Sequence, residues 1–145
     1  MESELINGDF LLKHLEEKKA GIPQHLKVLV TESANITRTH INLAVPVKTG
    51  NLQRSTKIDN ISDFEKRIFI DLNQARYGEY IIRGTEPYEI LPVNKKALYW
   101  PGADHPVKRV EHPGIKANDY FTAGIENADS EVQAEIDKFK EWITG

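Results

Sequence analysis

Residues 45–55, Val45-Pro46-Val47-Lys48-Thr49-Gly50-Asn51-Leu52-Gln53-Arg54-Ser55, divide a helical N-terminal part from a part patterned as strands. Pro46 fixes its own φ and drives Val45 out of the helical region. Gly50 accepts positive φ, and Asn51 can bond nearby backbone, so the stretch reads as a turn that redirects the chain into a strand.

Upstream, Asp9 is an N-cap for a helix carrying Phe10, Leu11, Leu12 and Leu15. Gly21 and Pro23 then predict a stop and a new start. In the second helix Ile22, Leu26, Val30, Ala34, Ile41 and Val45 recur mostly every four residues, one buried stripe. Thr31, Thr37 and Thr39 lower the propensity, so the stripe carries the assignment.

Downstream, residues 54–59 are a weak strand, and Arg67–Leu72 alternates with Ile68, Ile70 and Leu72 on one face. A hairpin across residues 59–66 is the simplest pairing. Residues 75–85 carry Tyr77, Tyr80 and Ile81 at helical spacing and stop at Gly84, a short helix with a glycine cap. Residues 88–93, 97–100 and 106–111 offer three further short strands. From Asp119 to Ile143 the apolar residues Ile125, Val132, Ile136, Phe139 and Ile143 mark an amphipathic terminal helix whose other face is acidic.

A chain of 145 residues, 39% hydrophobic, is long enough for one core and short for two. The reading is one domain: residues 1–45 helical, 46–117 sheet with a short helix and a proline-rich loop, and 118–145 the terminal helix. A formal charge of -3 implies no general affinity for nucleic acid. The absence of cysteine removes disulfides, thiolate nucleophiles and Cys-ligated zinc, and it is compatible with a reducing compartment. No apolar run approaches the roughly 20 residues that span a bilayer, and no signal-peptide pattern opens the chain.

Catalytic patterns are equally sparse. His105 and His112 lie seven apart, each before a proline, whereas a helical zinc pair needs a spacing of four. In extended chain they face opposite sides, roughly 23 Å apart. Ser33, Ser55, Ser62 and Ser130 sit in no nucleophile elbow, and Lys48-Thr49-Gly50-Asn51 is a turn rather than a P-loop. The sequence names no catalytic, cofactor or metal residue. Lys95, Lys96, Lys108, Arg109 and Lys116, interleaved with Tyr99 and Trp100, fit either a basic-aromatic nucleic-acid patch over residues 95–116 or cations guarding strand edges. Pro92, Pro101, Pro106 and Pro113 restrict this segment, so it meets a partner at low ordering cost, presenting Tyr99, Trp100, Lys108 and Arg109 as an assembly surface.

The ordered set Val45–Ser55, Tyr77–Thr85, Lys96–Gly102 and Lys108–Ala128 resembles the tail-completion, or head-tail joining, proteins of long-tailed double-stranded DNA bacteriophages. The likeness runs from about Ala44 to Ala128. Its most specific parts are Pro46-Val47-Lys48-Thr49-Gly50-Asn51-Leu52 and the run from His112-Pro113-Gly114 to the aromatic pair Tyr120-Phe121; the family more often has a proline before that pair. The resemblance implies an α+β fold, helices packed on a mainly antiparallel sheet of about four or five strands. It implies a non-enzymatic virion component without cofactors, forming part of a ring at the neck or tail after synthesis in the host cytoplasm. Its partners there would be the connector, tail terminator or tail tube, with DNA as passing cargo, no membrane, and a monomer in isolation. On this chain Pro46, Thr49, Gly50 and Leu52 would form the turn into the sheet, and Tyr77, Tyr80 and Gly84 the short helix and its cap. His112, Pro113 and Gly114 would bend the chain toward the last helix. A small nucleic-acid binder and a small hydrolase stay open as alternatives.

Overall fold

The computed structural model describes residues 8–48 and 50–145. Its frame is two antiparallel helices, α1 (Gly8–Ala44) and α4 (Tyr120–Thr144). Between them the chain forms α2 (Asn51–Ser55), β1 (Thr56–Ser62), β2 (Glu65–Ile70), α3 (Gly78–Arg83), β3 (Tyr88–Ile90) and β4 (Val110–His112).

The expected break at Gly21 and Pro23 is absent: α1 runs unbroken for 37 residues, about 55 Å at 1.5 Å per residue. Pro23 forfeits one helical hydrogen bond, and packing against α4 offsets the loss. Gly21 serves as a seat rather than a stop, since a Cβ there would lie 2.9 Å from the Trp142 ring. That ring stacks on His25 at 3.7 Å, and the Lys18 ammonium binds the Trp142 carbonyl at the end of α4. A cation at a helix C-terminus is favourable for the helix dipole as well.

At its other end α4 is capped by Asp119, whose carboxylate accepts from the Thr122 N–H at 3.0 Å and the Thr122 hydroxyl at 2.7 Å. The Thr122 amide, then its hydroxyl, hold the Asp119 carboxyl below its ordinary range. The face of α4 turned inward differs from the expected one. Tyr120, Gly124 and Ala128 are buried, Val132, Ile136 and Phe139 are half-buried, and Ile125 and Ile143 are exposed. Gly124 explains the choice: a Cβ there would meet the Ile41 Cα at 2.4 Å, so only glycine lets the two backbones approach this closely.

The core gathers where the helix pair meets the middle of the chain. Ile41, Val45, Leu52, Ala75 and Tyr120 are its buried members, with Ile68, Ile70, Ile81, Ile82 and Phe121 packed around them. β1 and β2 form an antiparallel hairpin in which Thr56 faces Ile70 and Ile58 faces Ile68. These four point to one side, and α1 packs against both strands. Asp59 and Arg67, on the other side, pair at 2.6 Å.

The sheet is smaller than expected. In place of four or five strands there are two separate two-stranded sheets, β1–β2 and β3–β4. Three local causes account for this. Arg54 and Ser55, expected as strand, belong to α2, which begins after the left-handed Gly50. Leu72 lies beyond β2, because the Asp71 N–H turns to the Ser55 carbonyl and the Asp71 carboxylate accepts from Asn73. Residues 97–100 contribute only the bridge between Leu98 and Val107, since Pro92, Pro101 and Pro106 withhold donors that a longer ladder needs.

Candidate assembly surface

Residues 85–115 leave the body as a narrow ribbon. At its base Thr85 and Ile115 exchange backbone hydrogen bonds at 2.9 and 3.0 Å. Farther out Tyr88 pairs with His112, Glu89 with Glu111 and Ile90 with Val110, and beyond them comes the Leu98–Val107 bridge. The tip is a type II turn: Pro101 stands second, Gly102 third with φ 95°, and the Ala103 N–H donates to the Trp100 carbonyl at 3.0 Å.

Two glycines fasten this arm. Gly84 ends α3 at φ 73°, and a Cβ on it would lie 2.6 Å from the Ile115 carbonyl oxygen. Gly114, at φ 83°, would bring a Cβ to 2.3 Å from the Thr85 carbonyl oxygen. The Arg83-Gly84-Thr85 and His112-Pro113-Gly114 segments, thirty residues apart, are thus two halves of one clasp. The Asn118 N–H, bonded to the Ile81 carbonyl at 2.9 Å, ties the clasp to α3. His112 closes it from within: its Nδ1 accepts from the Gly114 N–H at 3.1 Å, and its ring stacks on Tyr88 at 4.8 Å.

The arm has an apolar side with little to cover it. Ile90, Leu98, Tyr99, Trp100 and Val110 line an open cavity of about 400 Å³. Tyr99 is 67% exposed, Trp100 46% and Val93 92%, and β3 and β4 pack chiefly on each other. Lys108 and Arg109 are exposed on the irregular segment leading into β4, and Arg109 pairs with Glu89 at 3.4 Å. The structure therefore brings Tyr99 and Trp100 into one surface with Ile90, Leu98 and Val110, which the sequence reading left out. The signal for those three was present in the alternation through residues 88–90 and 107–111.

The remaining motif residues fall elsewhere. Leu52 is buried in the core, Gly50 adopts φ 71° before α2, and Thr49 lies outside the described residues. Tyr77 stands immediately before α3 and Tyr80 lies within it; both are exposed. Tyr77 lines a second open cavity, about 580 Å³, with Pro46, Val47 and Ile81. Pro113 is exposed beside the clasp. His105 and His112 do not meet a third ligand-type residue: among the described residues no group of three or more His, Asp or Glu is placed to hold a metal. No helix among them is long and apolar enough to cross a membrane.

A second uncovered apolar surface lies at the start of α1. Residues 8–17 run past the end of α4, and Phe10, Leu11, Leu12 and Leu15 are all exposed there, Phe10 by 72%. Compared with models of known protein families, with curated proteins and with solved structures, the chain matches none.

Proposed function

We propose that the chain is a structural subunit of a tailed-phage neck or tail, a tail-completion or head-tail joining protein whose arm is its assembly surface. The observation that carries the assembly role is the arm itself. A two-stranded ribbon is marginal in water, and this one displays an apolar side and five prolines that hold it in shape. An interaction partner that covers Tyr99 and Trp100 would supply the missing layer. The placement in a phage neck rests on the ordered motifs from Val45 to Ala128 and their likeness to that family.

Ring formation needs head-to-tail contacts between two different patches on each subunit. The arm and the projecting start of α1 are two such patches, apolar and distinct. Each is small, so the isolated chain stays monomeric and the ring closes on a template such as the connector, tail terminator or tail tube. DNA then passes through as cargo.

Charge reversal at Lys108 and Arg109 tests the reading. The double variant is expected to fold with an unchanged melting temperature, because exposed substitutions shift stability by under about 0.5 kcal/mol, while filled heads and tails fail to join. Infectious tailed particles at the parental titre would exclude this surface as the contact.

A further inference from the structure

Where the last turns of α1 meet α2 and the first residues of β1, an open cavity of about 520 Å³ has a composition unlike the others. Arg38, Arg54 and Lys57 line it, one from each element, and no carboxylate does. Among the described residues neither Arg38 nor Lys57 forms an ion pair. All three cations are exposed side chains, and they share one hollow.

The rest of the wall is polar and held in place. The Gln53 amide donates to the Asn42 carbonyl at 2.8 Å. Gln74 is tied to Asn51 twice, its carbonyl accepting from the Asn51 amide at 2.9 Å and its own amide donating back at 3.4 Å. Two buried polar atoms of the wall have no protein partner: the hydroxyl of Thr56, a residue only 3% exposed, and the side-chain oxygen of Asn42. A buried hydroxyl without a partner is costly, and such groups in a folded protein call for a use. Thr56 lines the hollow together with Arg38, Arg54 and Lys57, which supplies one.

We propose that this cavity binds a phosphoryl group. Three cations and a hydroxyl donor match an anion with up to two charges and three acceptor oxygens better than they match a carboxylate, and a guanidinium presents paired donors to such a group. The Thr56 hydroxyl donates to one oxygen, and Arg38 and Lys57 neutralise the charge. A phosphate ion and a phosphate of a nucleic-acid backbone share this chemistry. The site is separate from the arm, so it stands or falls independently of the assembly reading.

Calorimetric titration of the full chain with inorganic phosphate, and separately with a short DNA duplex at two salt concentrations, tests it. One saturable site is expected, with affinity at least tenfold weaker in Arg38→Gln/Lys57→Gln and unchanged in the arm variant Lys95→Gln/Lys96→Gln. Thr56→Val keeps the shape and removes the hydroxyl; it is expected to weaken binding severalfold, and it carries the test should the double variant fail to fold. Phosphate binding without duplex binding identifies a free anion as the ligand. Duplex binding that phosphate competes away, and that weakens steeply with salt, identifies the backbone. Absence of binding to both probes, or equal weakening by the cavity and arm variants, overturns the proposal.

Discussion

The helical body and the arm solve the same problem, holding backbone in one shape, by different means. In the body α1 and α4 approach so closely at Ile41 and Gly124 that there is no room for a Cβ, and the Trp142 ring fills the space over Gly21. Order there comes from burial of apolar surface, the dominant favourable contribution in folding. In the arm only short ladders hold the strands, the apolar side is open, and order comes from prolines, a type II turn and the clasp at Gly84 and Gly114. A region fixed by burial covers its own apolar surface; one fixed by restricted backbone leaves that surface open.

Substitutions in the body are therefore expected to act on global stability. Ile41, fully buried between α4 and the core, should cost about 2 to 5 kcal/mol as Ile41→Ala, read as a lower denaturant midpoint at constant slope. Gly124→Ala comes next, at about 1 to 3 kcal/mol, because the added methyl meets backbone rather than a flexible side chain. A parental midpoint for either variant would mean that the helices are not packed as described.

High pH probes the same core. Burial, followed by electrostatic interaction with Tyr77 and then Asp119, pushes the Tyr120 hydroxyl up to about 12 from its ordinary 10.0. The folded chain thus holds a proton that the unfolded chain releases. The associated stability is complete below pH 10.0 and is lost as pH rises toward about 12. Tyr120→Phe, which removes a hydroxyl without a protein partner, is expected to leave the neutral-pH midpoint close to parental and to flatten the decline between those values. An equally steep decline in the variant would assign it to other groups.

The smallest global effect belongs to the arm. Trp100→Ala is expected to move the melting temperature by no more than an exposed substitution does, under about 0.5 kcal/mol in stability, while abolishing head-tail joining. Gly114→Ala separates the clasp from the body: a left-handed non-glycine residue costs about 1 to 2 kcal/mol, and here the clash falls on Thr85. Its expected signature is a disturbed arm, read from Tyr88 and Trp100 signals, with the body signals of Ile41 and Tyr120 unmoved.

Much of the body was legible in the sequence, and the reasons are local. Asp119 before a 3.6-residue pattern marks the start of α4, Gly84 marks the end of α3, and the alternation around Ile68 and Ile70 marks the hairpin. The errors arise where tertiary contact outweighs local preference. Gly21 and Pro23 read as punctuation until Trp142 is placed over Gly21, and the inward face of α4 is chosen by small residues, Gly124 and Ala128, which a search for large apolar side chains passes over. Five short strand patterns suggested one sheet, but pairing needs donors that the prolines of residues 92–106 do not have. At the arm, Tyr99 and Trp100 were legible from composition, whereas the pairing of Thr85 with Ile115, and the meeting of Arg38, Arg54 and Lys57 around Thr56, depend on contacts that no spacing in the chain reveals.

Amide hydrogen exchange, recorded for the free chain and for the chain within purified tailed particles, tests the central claim most directly. In the free chain the Leu98 and Val107 amides, which bond only across the arm, should exchange far faster than those of α1 around Ala34 and Ile41. In particles the arm amides should slow by orders of magnitude while the body amides change little. Arm amides already as protected as the body in the free chain, or equally fast in both samples, would contradict an arm whose missing layer is supplied by a partner.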